Sequence, residues 1–283
     1  MRRSMLRKYC RLLIPGTLIL GLILASSLAN LLSPYDPNRI ALGRPYAKPS
    51  LQHPLGLDNA GRDILSRILH GGRLTLGIAI SSILLAAVAG TILGVVAGYF
   101  PGVPDMVIMR GADVLLCFPP IILGMAIVTF LGTEPIFLTL VIALLYTPRF
   151  VRVVYAAVQT VKHNEYVEAA RALGSSIPRL FRKEIIPNIL APIMVQISLG
   201  IGHAIILETG LSFVGLGPPP PTASWGRMIE EARRFMRINA MILVWPALTI
   251  GICVIAFNML GDALRDYLDP RLRHTVTRRE GVS

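Results

Sequence analysis

Residues 74–97 read LTLGIAISSILLAAVAGTILGVVA, an unbroken run of 24 positions with no charged side chain. As a helix rising 1.5 Å per residue it measures about 36 Å, enough to cross the roughly 30 Å hydrocarbon layer of a bilayer. Working outward, further apolar runs of spanning length cover 12–32, 106–131, 136–154, 189–211 and 240–260. Only 16% of the 283 residues are charged and 53% are hydrophobic, whereas a soluble domain carries about 25% charged residues. The sequence therefore predicts an all-α membrane protein with six transmembrane helices. Within the second, Gly90, Gly94 and Gly98 recur at i, i+4 and i+8, one helix face on which two backbones can approach closely.

The basic flanks set an expected orientation. Arg2, Arg3, Arg7, Lys8 and Arg11 precede the first run. That run is longer than the 7–15 residues of a secretory-signal core, so it reads as a retained helix. By the positive-inside rule the N-terminus is cytoplasmic and successive helices alternate in direction. The segment 149–187 then lies inside with Arg149, Arg152, Lys162, Arg171, Arg179, Arg182 and Lys183, as does the tail after Leu260 with Arg265, Arg271, Arg273, Arg278 and Arg279. Two segments oppose the rule: 33–73 carries six basic residues beside Asp36, Asp58 and Asp63, and 218–239 carries Arg227, Arg233, Arg234 and Arg237 beside Glu230 and Glu231. The chain divides into residues 1–73 (tail, first helix, external segment), 74–262 (core permeation domain) and 263–283 (cytoplasmic tail).

The net charge of +12 fits the cytoplasmic loops of a membrane protein better than a nucleic-acid surface, because no aromatic-interleaved basic patch accompanies it. Cys10, Cys117 and Cys253 lie too far apart in sequence for a disulfide framework or a metal cluster. No lysine follows a glycine, so the Gly-Lys-Ser/Thr of a nucleotide loop is absent from the chain. The five histidines make no His-x-x-x-His pair, and no Gly-x-Ser-x-Gly elbow occurs. Catalytic and cofactor-binding residues, and a metal site, are thus not expected. Ionisable groups within the spans are few: Asp113, positioned to pair with Arg110, and His203 and Glu208, which are candidates for the solute path or, equally, buried struts. Residues 218–221 are four prolines, expected to be extended, and Trp225 and Trp245 suit the membrane interface.

The segment between the fourth and fifth spans is the most informative. It reads Glu165-Tyr-Val-Glu168-Ala169-Ala170-Arg-Ala-Leu-Gly174, with Pro187 thirteen residues on. His163 or Asn164 is placed to start a short helix, acidic residues sit in its first turn, and Gly174 suits its stop. Ser175 or Ser176 with Pro178 starts a second short helix, expected to end near Pro187. Ala169 and Ala170 give the first helix a smooth surface suited to a partner's groove.

Glu168-Ala169-Ala170, Gly174 and Pro187 together resemble the EAA loop of bacterial ABC-import permeases, except that Glu184 stands where an apolar residue is usual. Three further stretches resemble the C-type permease of dipeptide, oligopeptide and nickel importers. They are His53-Pro-Leu-Gly-Leu-Asp58 with Gly61-Arg62-Asp63-Ile-Leu-Ser66-Arg67; Leu211-Ser-Phe-Val-Gly215-Leu-Gly217 with Ser224-Trp225-Gly226; and Phe257-Asn258-Met-Leu-Gly261-Asp262 through Asp269-Pro270-Arg271. The resemblance implies the type I importer fold in the bacterial inner membrane. The loop containing Glu165, Glu168, Ala169, Ala170, Gly174 and Pro187 would couple to the ATPase, and ATP would be bound by partners. Those partners would be a sister permease, two ATP-binding subunits and an external solute-binding protein, with no nucleic acid. Peptides are the cargo it suggests first, with nickel or metal chelates, opine-like compounds and glutathione-like peptides as alternatives. An ion-coupled secondary transporter is disfavoured by the sparse intramembrane charges and the lack of a clear repeat. A membrane enzyme lacks a constellation to run on, and a scaffold leaves the loop unexplained.

Overall fold

The computed structural model describes residues 2–268, with side chains from Leu12 onward. The side chains of the basic N-terminal residues and of Cys10, together with the 269–283 tail and its Asp269-Pro270-Arg271 motif, lie outside the described residues. The order is α1 (Arg2–Ser27), α2 (Ala29–Leu32), α3 (Ile64–Tyr99), α4 (Val103–Cys117), α5 (Pro120–Leu131), α6 (Pro135–Val161), α7 (Glu165–Ala172), α8 (Ile177–Leu180), α9 (Ile186–Leu211), α10 (Trp225–Arg233) and α11 (Met241–Leu268). Wide π-type turns, Phe181–Ile185 and Ser212–Leu216, flank α9. Among the described residues, one antiparallel bridge between Leu57 and Asp63 stands outside the helices. The chain is therefore helical, as the apolar runs required.

Four helical stretches are long and apolar enough to cross a membrane: Ile64–Tyr99, Pro135–Val161, Ile177–Leu216 and Met241–Leu268. The expected span 106–131 is not one straight helix. It is α4 and α5, bent by 93°, so they count as a fifth span only if the bent pair is taken as one. The cause is Pro119-Pro120: Phe118 before them is extended at φ −92° and ψ 138°, as steric contact with a following proline ring requires. At the N-terminus the apolar part of α1 is Leu12–Ser27, short of a full span by length. The helix over 74–97 instead runs ten residues further back, starting at Ile64, because Asp63 caps it by accepting from the Ser66 N–H at 2.8 Å and the Ser66 hydroxyl at 2.7 Å.

The bundle is built on the α3–α6 seam. Gly90, Gly94 and Gly98 face Phe150, Val154 and Val158 of α6. A Cβ placed on Gly94 would lie 2.7 Å from Val154 Cβ and 2.8 Å from the Val151 carbonyl oxygen, so the two backbones meet at a distance only glycine permits. Helices α9 and α11 complete the core, where Ile83, Ala86, Leu138, Ile142, Phe150, Ala204, Ile205 and Cys253 are fully buried. Gly94→Leu therefore costs about 3 kcal/mol by overpacking and lowers the unfolding temperature in detergent. Gly77→Ala, whose Cβ meets nothing within 4 Å, leaves it unchanged or raised.

Candidate functional site

Three regions of this scaffold carry the sequence motifs. At one end of the bundle, α7 forms a tip. Val167 is buried and packs with Val154, Val158 and Val161 of α6, Leu180 of α8, and Ile185 and Ile189. This single inward anchor leaves Glu165, Tyr166, Glu168 and Ala169 exposed and Ala170 half-buried. The stop is a Schellman cap: Gly174 N–H donates to the Arg171 carbonyl at 3.0 Å and Ser175 N–H to the Ala170 carbonyl at 3.1 Å. Gly174 holds φ +77° with nothing within 4 Å of its missing Cβ, a left-handed backbone facing open space. Arg171 donates to the Tyr99 hydroxyl at 3.0 Å and lies 5.3 Å over its ring, while Tyr99 stacks edge-on against Phe181 at 4.9 Å. Lys162 Nζ donates to the Gly98 carbonyl at 3.0 Å. The tip is thus clamped to the end of α3.

The second helix of the loop does not end near Pro187. From Ile177 the chain continues through the π-type turn into α9 as one apolar stretch. Pro187 has no N–H and sits in the first turn of α9, where none is needed. The preceding turn widens so that Ile186 N–H reaches the Phe181 carbonyl. Pro187 itself is exposed. Composition alone gave no warning of one exposed feature: Leu173, 87% exposed beside Gly174, with Tyr166 and Ile177 nearby in sequence and also exposed. An apolar side chain left out at a helix stop is the signal that finds it.

At the opposite end, the segment 33–63 and α10 form a cap in which several of the conflicting charges are paired. Asp58 accepts from the Arg62 backbone N–H at 2.9 Å and from its Nε at 2.6 Å. Arg62 Nη2 and Arg67 Nη2 both donate to Glu231 Oε2 of α10, at 2.6 and 3.2 Å. Arg227 pairs with Glu230 and Glu231 at 3.6 and 3.5 Å. Arg67 is only 1% exposed. Four of the ten basic residues that oppose the positive-inside rule, Arg62, Arg67, Arg227 and Arg234, are thus paired with carboxylates. His53 Nδ1 lies 3.0 Å from Asp63 Oδ1, which explains the first residue of that motif as a brace on the cap of α3.

Trp225 is buried rather than interfacial. Its N–H donates to Thr75 Oγ1 at 3.2 Å and its Nε1 to the Ile68 carbonyl at 2.9 Å. Gly71 and Gly72 leave room for the indole, and Gly226 leaves room for Ser212. Next to it Glu208 is fully buried, accepting from the Ser212 hydroxyl at 2.8 Å. Ser224 caps α10 by accepting from Arg227 N–H at 3.1 Å. The motif after the fifth span is thus a polar knot joining α3, α9 and α10, closed by Gly215 at φ +91°, which ends the helix.

His203 lies on another face of α9. It lines an open groove of about 400 Å³ with Leu116 of α4, Arg149, Arg152 and Val153 of α6, and Gln196 and Leu199 of α9. Asp113 pairs with Arg152 across this groove, not with Arg110. A contact between helices replaces the expected one within a helix. Glu208 and His203, five residues apart, are therefore not brought together.

The family of binding-protein-dependent transport system inner membrane components matches residues 90–274. The chain belongs to this family. It is 41% identical over 259 residues, 91% of its length and 86% of the relative's, to the glutathione transport system permease protein GsiD of Pectobacterium atrosepticum. It is 40% identical to the dipeptide transport system permease protein DppC of Haemophilus influenzae (90% and 88% covered) and 38% identical to the di/tripeptide permease DppC of Pseudomonas aeruginosa (92% and 88%). Its fold resembles the crystal structure of an amino acid ABC transporter with histidines, at TM-score 0.50 and 16% identity over 69% of this chain and 90% of that one. It is thus a permease component of ABC importers, a family of the inner membrane.

Removing one partner of the permease's buried cap exposes its cost. Glu231→Gln leaves Arg62 and Arg67 short of charge and destabilises the fold by about 3–5 kcal/mol. Arg234→Gln, at a side chain 67% exposed, costs under about 1 kcal/mol. Thermal unfolding in detergent separates the two.

Proposed function

We propose that this chain is one of two related permeases of an importer that moves di- and oligopeptides inward, with ATP held and hydrolysed by two separate subunits and cargo delivered by an external binding protein. The observation that carries the cargo class is likeness at 36–41% identity, over nine-tenths or more of the chain, to permeases for dipeptides, peptides and glutathione. In this reading α1 continued by α2, the bent α4–α5 pair and the four long helices give six spans. Residues 74–262 form the permeation core, and both termini and the α7 tip are cytoplasmic.

The tip supplies the coupling. Ala169, Ala170 and Gly174 offer a small-residue surface flanked by Glu165 and Glu168, with Leu173 projecting beside it, suited to a groove in an ATPase. Val167 and the unbroken passage from α8 through Pro187 into α9 make the tip one body with a span. Displacement of the tip therefore tilts α9 instead of dissipating in a loop, as rigid-body alternation requires.

At Gly174, asparagine reports the cost of a side chain on the left-handed backbone, and a bulky residue adds the effect on docking. Asparagine tolerates the left-handed conformation, so Gly174→Asn retains peptide uptake in proteoliposomes of the assembled complex. Gly174→Trp, whose Cβ meets nothing within 4 Å, adds bulk on the partner's side to the left-handed strain, lowering uptake at least tenfold while the two permeases still assemble. Wild-type uptake by Gly174→Trp contradicts the coupling role.

A further inference from the structure

The groove beside His203 holds charges at a depth where lipid does not tolerate them. Arg149 lies 14 residues from Pro135 and 12 from Val161 within α6, about 21 and 18 Å from the helix ends. That is the middle of α6, inside the 136–154 run expected to span, so Arg149 and Arg152 belong with the span and not with the cytoplasmic segment to which the charge count assigned them. It stands 4.9 Å over the Tyr146 ring, and no carboxylate pairs with it among the described residues. Arg152, one turn along, is exposed but paired with Asp113. Gln196 and His203 of α9 face the same space. A charged group within a span borders a wet cavity or another protein, and this groove is open.

We propose that the groove is this permease's share of the translocation path, and that Arg149, assisted by Gln196 and His203, binds the free carboxylate of a peptide in transit. This rests on the importer reading above. The chemistry is specific. Two guanidiniums against one carboxylate leave one positive charge unmatched. Arginine's planar donor fork fits a carboxylate bidentately, and the Gln196 amide adds a neutral donor. Every linear peptide with a free C-terminus carries such a group, so one mid-path cation serves cargo of varied sequence. Tyr146 holds the guanidinium by its ring face and leaves the donor edges free. Glu208, fully buried on another face of the same helix, takes no part in the groove; it fastens α9 to α3 and α10.

The test uses the complete transporter in proteoliposomes with saturating peptide-loaded binding protein, comparing peptide delivered per ATP hydrolysed. Wild-type uptake that depends on ATP establishes the importer, and its absence removes that reading before any variant is compared. Given wild-type uptake, Arg149→Gln and Arg149→Glu are expected to lower peptide per ATP tenfold or more, while assembly and binding-protein-stimulated ATP hydrolysis persist. Arg149→Lys, which keeps the charge but not the planar fork, is expected to recover part of it. Wild-type coupling in Arg149→Gln overturns the proposal. So does Arg149→Lys as defective as Arg149→Glu, since the sign of the charge then counts for nothing.

Discussion

The close approach of α3 and α6 is the contact on which the rest of the bundle depends. In lipid no hydrophobic driving force pulls helices together, so association relies on dense packing and on hydrogen bonds. Glycines at 90, 94 and 98 let the α3 backbone settle against Phe150, Val154 and Val158. That seam fixes α6, and α6 in turn places two quite different features. Its far end carries the tip through Val158 and Val161, and its middle presents Arg149 and Arg152 to the groove.

The two ends of the bundle solve opposite problems. At the cap, charge is gathered and buried: Asp58, Glu230 and Glu231 answer Arg62, Arg67 and Arg227, locking the segment after α2 onto α10. At the tip, apolar surface is left uncovered, with Leu173 outermost. A buried ion-pair network contributes little net stability but is costly to break, which suits a cap that must hold one geometry. An exposed leucine beside an alanine surface suits a contact completed by another chain.

Much of this was legible in the sequence. Four of the six expected spans followed from apolar run length, the seam from the spacing of three glycines, and the cap of α7 from Gly174. What was not legible is instructive. The break at Pro119 sits inside an apolar run whose charged residues, Arg110 and Asp113, lie before the bend and not at it, so only the paired prolines mark it. Pro187 signals a stop by propensity, yet a proline at the start of a helix is harmless, and the chain runs through. Trp225 has the composition of an interfacial residue, but a cavity prepared by Gly71 and Gly72, some 150 residues away in sequence, buries it. Pairings such as Asp113 with Arg152, or Arg62 with Glu231, are tertiary, and no local pattern announces them.

The central claim is that the α7 tip meets an ATPase on the cytoplasmic side. Its most direct test is a photo-crosslinking amino acid at Leu173, activated in native membranes, with the crosslinked product identified by mass spectrometry. The account predicts one dominant adduct, to a chain bearing a nucleotide-binding phosphate loop. Adducts confined to lipid, or to a protein of the opposite compartment, contradict both the docking surface and the orientation on which it rests.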